Sequence, residues 1–133
     1  MKYIGLVASS IAAVLAFGAG ARAQAPAENP PGVNPEHYLC YRITGEIRPI
    51  PVKLKDQFQG LGARVMRPMF LCNPVQKNDQ GIKDERTHLV CYRLATLRPV
   101  NKRVVVQNQF GKQQFRVADP QLLCVPSLKE EVK

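Results

Sequence analysis

The chain has 133 residues, with 19 Lys and Arg against 10 Asp and Glu, and 45% of its residues are hydrophobic. This composition describes one small globular domain, or two very small ones, and excludes a disordered chain. Five Phe, four Tyr, no Trp and two His leave little material for a carbohydrate-stacking platform or an acid–base active site.

Residues 1–23 have the pattern of a secretory signal peptide. Lys2 supplies the charged start, residues 4–17 form a short apolar run, and Ala21-Arg22-Ala23 fits the small-x-small cleavage pattern before Gln24. The run is shorter than the roughly 20 apolar residues that a membrane span needs. Removing residues 1–23 takes away Lys2 and Arg22 and leaves 17 of the 19 basic groups against all 10 acidic ones. No second apolar segment follows, so the expectation is a soluble mature protein in the periplasm or outside the cell, without a membrane span.

Residues 24–36 carry four prolines and almost no large apolar side chain, which predicts a flexible leader. From His37 onward the chain repeats itself. His37-Tyr38-Leu39-Cys40-Tyr41-Arg42-Ile43 is echoed by His88-Leu89-Val90-Cys91-Tyr92-Arg93-Leu94. Arg48-Pro49 returns as Arg98-Pro99, Gln57-Phe58 as Gln109-Phe110, Arg64-Val65 as Arg116-Val117 and Pro68 as Pro120. Leu71-Cys72-x-Pro74 returns as Leu123-Cys124-x-Pro126, with extra residues gained near Asn101-Lys102-Arg103. So many matches in order define two repeats, 37–77 and 88–129, within one domain spanning 37–129. The polar stretch 76–87 joins them through the turn-forming Asn78-Asp79-Gln80-Gly81, and 130–133 is a charged tail.

Inside each repeat the apolar pattern has period two. Val52, Leu54 and Phe58 share one strand face, with Lys53, Lys55 and Gln57 on the other, and Val104, Val106 and Phe110 follow the same rule. Residues 38–43 and 89–94 are apolar on both faces and suit central strands. Hairpins are predicted for 52–58 with 63–67, turning through 59–62, and for 104–110 with 114–118, turning at Gly111. Pro68 and Pro120 then mark strand ends or bulges. The expected fold is all-β: two tandem three-stranded repeats packed as a small pseudo-two-fold sandwich or partly open barrel, disulfide-bonded.

Four cysteines in an exported chain predict two disulfides. Pairing within repeats gives Cys40–Cys72 and Cys91–Cys124. Pairing across repeats gives Cys40–Cys124 and Cys72–Cys91. A duplicated unit that once closed its own bridge favours the first pattern, and repeat symmetry permits both.

The doubled motifs, His-x-x-Cys-Tyr-Arg, then Asp/Asn-Gln-Phe, then Leu-Cys-x-Pro, resemble a repeat domain of exported bacterial proteins that has no assigned activity. The resemblance covers about residues 37–129. It implies a secreted module and supplies no catalytic residue.

No G-x-S-x-G, Walker, H-E-x-x-H or Cys-x-x-Cys pattern occurs, so no catalytic residue, metal or cofactor is expected. His37 and His88 support two competing readings. With Cys40 and Cys91 they could form a Cys2His2 zinc site, and as acid and base they could serve a small secreted nuclease. Duplication alone also explains their matched positions. Asp56 and Asn108 fall on the apolar face of their strands, where both can accept hydrogen bonds from backbone N–H groups. The positive charge is the strongest clue: Lys53, Lys55, Arg64 and Arg116 form a candidate anionic-ligand face. The expected role is a non-enzymatic binding or structural module of the envelope or extracellular space, monomeric, contacting an anionic polysaccharide or other envelope component. A nuclease-type enzyme and an inhibitor of an exported hydrolase are the alternatives.

Overall fold

The computed structural model describes residues 30–32, 36–95 and 98–133. The expected signal peptide at 1–23, and leader residues 24–29 and 33–35, lie outside the described residues.

The first repeat forms β1 (Tyr38–Arg42), β2 (Ile50–Lys55) and β3 (Gly60–Pro74). The second forms β4 (His88–Ala95), β5 (Lys102–Asn108), β6 (Gly111–Val117) and β7 (Leu122–Ser127). The repeat equivalence makes β1 the counterpart of β4, β2 of β5, and β3 of β6 and β7 together. The two prolines account for this difference. β3 runs on through Pro68 with register shifts on either side of it, a bulge, whereas Pro120 falls in the gap between β6 and β7 and ends a strand.

β3 organises the molecule. On one edge its C-terminal half pairs with β1, with Cys40 opposite Cys72, and its N-terminal half pairs with β2, with Val52 opposite Ala63. Its other edge pairs with β4, which pairs in turn with β7. These five strands form one antiparallel sheet in the order β1-β3-β4-β7, with β2 beside β3, and β5 and β6 form a second, two-stranded sheet. The fold is therefore all-β, disulfide-bonded and open. The repeats join edge to edge through β3 and β4. Of the two strands whose two-sided apolar composition suits a central position, only β4 takes one. Among the described residues β1 pairs with β3 alone and leaves its other edge unpaired.

Both hairpins turn earlier than the alternation predicts. The first closes through residues 56–59, where the Asp56 carboxylate accepts the N–H groups of Phe58 (2.8 Å) and Gln59 (2.9 Å). Gly60 and Gly62 consequently lie in β3 rather than in the turn. The second closes through 109–110, with Asn108 Oδ1 accepting the Phe110 N–H (2.8 Å) and Gly111 at φ 117°, a conformation open to glycine. Asp56 and Asn108 thus share a hydrogen-bonding role, but as exposed turn residues and not on a buried face. Phe58 and Phe110 likewise sit in turns, and Phe110 is largely exposed.

The core draws on both repeats. Ala63, Val65 and Leu94 are buried, with Val52, Leu54, Leu61, Tyr92 and Leu123 packed against them. Val104 and Val106 do not join this cluster, because the break at Pro120 separates their hairpin from the main sheet.

Candidate functional site

Alternation in β2 turns Val52 and Leu54 toward the core and leaves Lys53 and Lys55 exposed. Directly opposite partners in a sheet share a face. The register sets Lys53 against Gly62, Lys55 against Gly60 and Pro51 against Arg64, which places Lys53, Lys55 and Arg64 together. Gly60 and Gly62 have no side chains to fill the space between these cations. A Cβ built at Gly62 meets no atom within 4 Å. The result is a shallow groove of about 660 Å3 that includes Lys53, Gly62, Arg64 and Ala95 in its lining.

A second groove, of about 820 Å3, shares Gly62 and Ala95 and extends the site to Arg93 and Arg98. Neither groove is lined by Asp or Glu. The sequence shows Arg93 and Arg98 as repeat positions, and Arg93 as one of the strand cations, without placing either on the candidate face. Their approach to the Lys53 face depends on β4 pairing with β3, which no local pattern announces. Arg116 lies elsewhere, opposite Arg103 in the β5–β6 sheet. The candidate face therefore keeps Lys53, Lys55 and Arg64, loses Arg116 to a separate basic hairpin, and gains Arg93 and Arg98.

The four cysteines form two cross-strand bridges, Cys40–Cys72 and Cys91–Cys124. The within-repeat pairing is thus the one adopted, and no free thiol remains for a Cys2His2 zinc site. Cys72 Sγ lies 3.9 Å from Cys91 Sγ, so the two bridges stand side by side in the centre of the sheet.

His37 and His88 occupy the same end of the sheet on either side of β3. The His88 ring donates from Nδ1 to Asn73 Oδ1 (3.1 Å), and His37 Nε2 contacts Gln109 Oε1 (3.0 Å). Gln109, at the tip of the second hairpin, is only 8% exposed. Its Oε1 also accepts from Lys77 Nζ, and its Nε2 donates to Gln80 Oε1 (3.0 Å). Lys77 Nζ lies 5.3 Å from the Phe110 ring centroid. The histidines are thus engaged by amide side chains, and His37 takes part in a clasp between the hairpin tip and the first repeat.

Fold and site together define an all-β, disulfide-bonded protein of two repeats with a basic groove on its main sheet. The chain belongs to the family described as a repeat of unknown function, DUF7450, whose profile matches residues 21–126. No curated protein and no solved structure matches the chain.

Proposed function

We propose that the protein is an exported, non-enzymatic binding module that holds an anionic polymer of the cell envelope or extracellular space against the face formed by Lys53, Lys55, Arg64 and Arg93. The observation that carries this reading is the glycine-floored groove whose charged lining residues, Lys53, Arg64, Arg93 and Arg98, are all cations. A polymer strand carrying regularly spaced carboxylates or phosphates can lie across Gly60 and Gly62 while the flanking side chains reach its charges. Two structural disulfides are consistent with an oxidising, exported setting. No helix among the described residues is long and apolar enough to cross a membrane.

Location, more than net charge, is what the test must separate. Lys53→Glu with Lys55→Glu and Lys129→Glu with Lys133→Glu change the net charge equally, the first pair on the exposed face of β2 beside the groove and the second at the C-terminal end of the chain. The groove pair is expected to weaken binding to an acidic polysaccharide at least tenfold, with the tail pair within about twofold of wild type and the wild-type affinity falling steeply with salt. Equal losses from both pairs would replace this reading with a uniformly basic, solvated surface.

A further inference from the structure

The repeats are equivalent in sequence but not in burial, and the difference follows the sheet edges. Cys72 is 1% exposed and Cys91 is 3% exposed, the lowest values in the core. Their repeat equivalents, Cys124 and Cys40, are exposed. The cause is the joint between repeats: β4 covers the edge of β3, and β3 covers the edge of β4. Among the described residues β7, the counterpart of the C-terminal half of β3, has no strand on its outer edge, and neither does β1, the counterpart of β4. Leu39 and Tyr41 of β1 are consequently 49% and 52% exposed, and Leu122 and Val125 of β7 remain exposed as well.

Edge strands in proteins that stand alone are usually blunted by charge or by covering segments. β7 (Leu122–Ser127) contains no charged residue, and its one edge-blunting residue, Pro126, lies beyond Leu122, Leu123 and Cys124; β1 contains one charged residue, Arg42. Moreover, β1 has the two-sided apolar composition of a strand with neighbours on both edges.

We propose that the molecule extends its sheet head to tail, the free edge of β7 in one copy pairing antiparallel with β1 of a second copy. The internal joint provides the template. There Phe70 lies opposite Cys91, Leu71 opposite Val90 and Cys72 opposite Leu89. Carried through the repeat equivalence, Leu122 of one copy meets Cys40 of the next, Leu123 meets Leu39, and Cys124 meets Tyr38. Directions agree, because β7 runs parallel to β3 and β1 runs parallel to β4, so the new pair is antiparallel like the old one. Two bridges would again lie side by side across the joint, as Cys72 and Cys91 do within the chain. This contact is heterologous: it joins two different edges, and each copy keeps one edge free for another. It replaces the monomer expected from the sequence and is independent of the basic face.

The test uses the full mature chain with its disulfides intact. One variant carries Leu39→Lys and Tyr41→Lys on β1, the other Leu122→Lys and Val125→Lys on β7. All four side chains are already exposed, so folding should survive, and retention of both bridges checks it. Sedimentation of the wild type from micromolar to millimolar concentration should show the average mass rising beyond one chain. Each variant alone should remain monomeric, and an equimolar mixture should recover a dimer that stops at two chains, since the mixture offers one compatible β7 and one compatible β1. A wild type that stays monomeric throughout would overturn the proposal without reference to any variant. Dimers formed by either variant alone would show like-to-like pairing instead and would equally overturn it, as would a mixture that stays monomeric.

Discussion

At the scale of single residues, the Asp56 carboxylate closes the first hairpin by accepting the N–H groups of Phe58 and Gln59. Its equivalence to Asn108 pointed to an acceptor shared by both repeats, and each side chain does accept backbone N–H groups at a hairpin tip. The bonds from Gln59 and Phe58, aided by the charge of Lys102, hold the Asp56 carboxyl below its ordinary pKa. Asp84 is lowered in the same way, first by the Thr87 hydroxyl and then by the backbone N–H groups of Thr87 and Arg86. A carboxyl whose pKa is depressed by folding contributes stability above its unfolded pKa and loses it as pH falls through the folded value. An Asp56→Asn variant should keep the turn at neutral pH, as Asn108 does, and should lack that part of the acid-side loss of stability. Denaturation midpoints measured from neutral pH down into the range of carboxylate titration would show it. Identical acid limbs in the two proteins would remove the proposed role of the Asp56 charge.

At the scale of elements, strand identity was legible and strand length was not. Period-two alternation located β2, β3, β5 and β6, and runs apolar on both faces located β1 and β4. It set both turns too late, since the alternation runs on through Phe58 and Phe110 while the closing interaction comes from Asp56 and Asn108. It also stopped the third strand short at 67: of the two readings of Pro68, end or bulge, β3 takes the bulge and runs on to Pro74, and β7 beyond Pro120 carries too short a pattern to stand out. The basic site was legible as the face of Lys53, Lys55 and Arg64, whereas the place of Arg93 and Arg98 beside it was not, because they reach it only through pairing between repeats. The Gln109 clasp left no sequence signal beyond the repeat itself. Gln109 ties its hairpin to His37, Lys77 and Gln80, so Gln109→Ala should release the β5–β6 sheet from the first repeat. The expected cost is about 1–2 kcal/mol, and it should be local. Amide hydrogen exchange should accelerate in β5 and β6 while β3 and β4 keep their protection. Uniform acceleration across all strands would mean that the clasp belongs to the global fold and not to the hairpin alone.

At the scale of the whole molecule, the question is what makes two repeats one folding unit. Each repeat closes its own disulfide across loops of 32 and 33 residues, each worth roughly 3–4 kcal/mol against the unfolded chain. Those bridges could suggest two independent beads. The packing opposes this, because the buried cluster takes Ala63 and Val65 from the first repeat and Leu94 from the second. Tyr92 and Leu123 of the second repeat pack beside Val52, Leu54 and Leu61 of the first. Separating the halves would also strip the β3–β4 ladder, leaving the edges around Cys72 and Cys91 uncovered. Removing only part of this shared core should already tell: Leu94→Ala is expected to cost about 2–5 kcal/mol, a large share of the stability of a domain this small. Fragments 37–77 and 88–129, each with its bridge formed, should therefore give poorly dispersed amide NMR spectra, while the chain from residue 24 to 133 gives a dispersed one. Mixing the two oxidised fragments should restore dispersion, because the β3–β4 edge and the shared cluster can re-form without a peptide link. A dispersed spectrum from either fragment alone at low concentration would show that its bridge and local strands suffice, and that the joint between repeats adds contact without adding a common core.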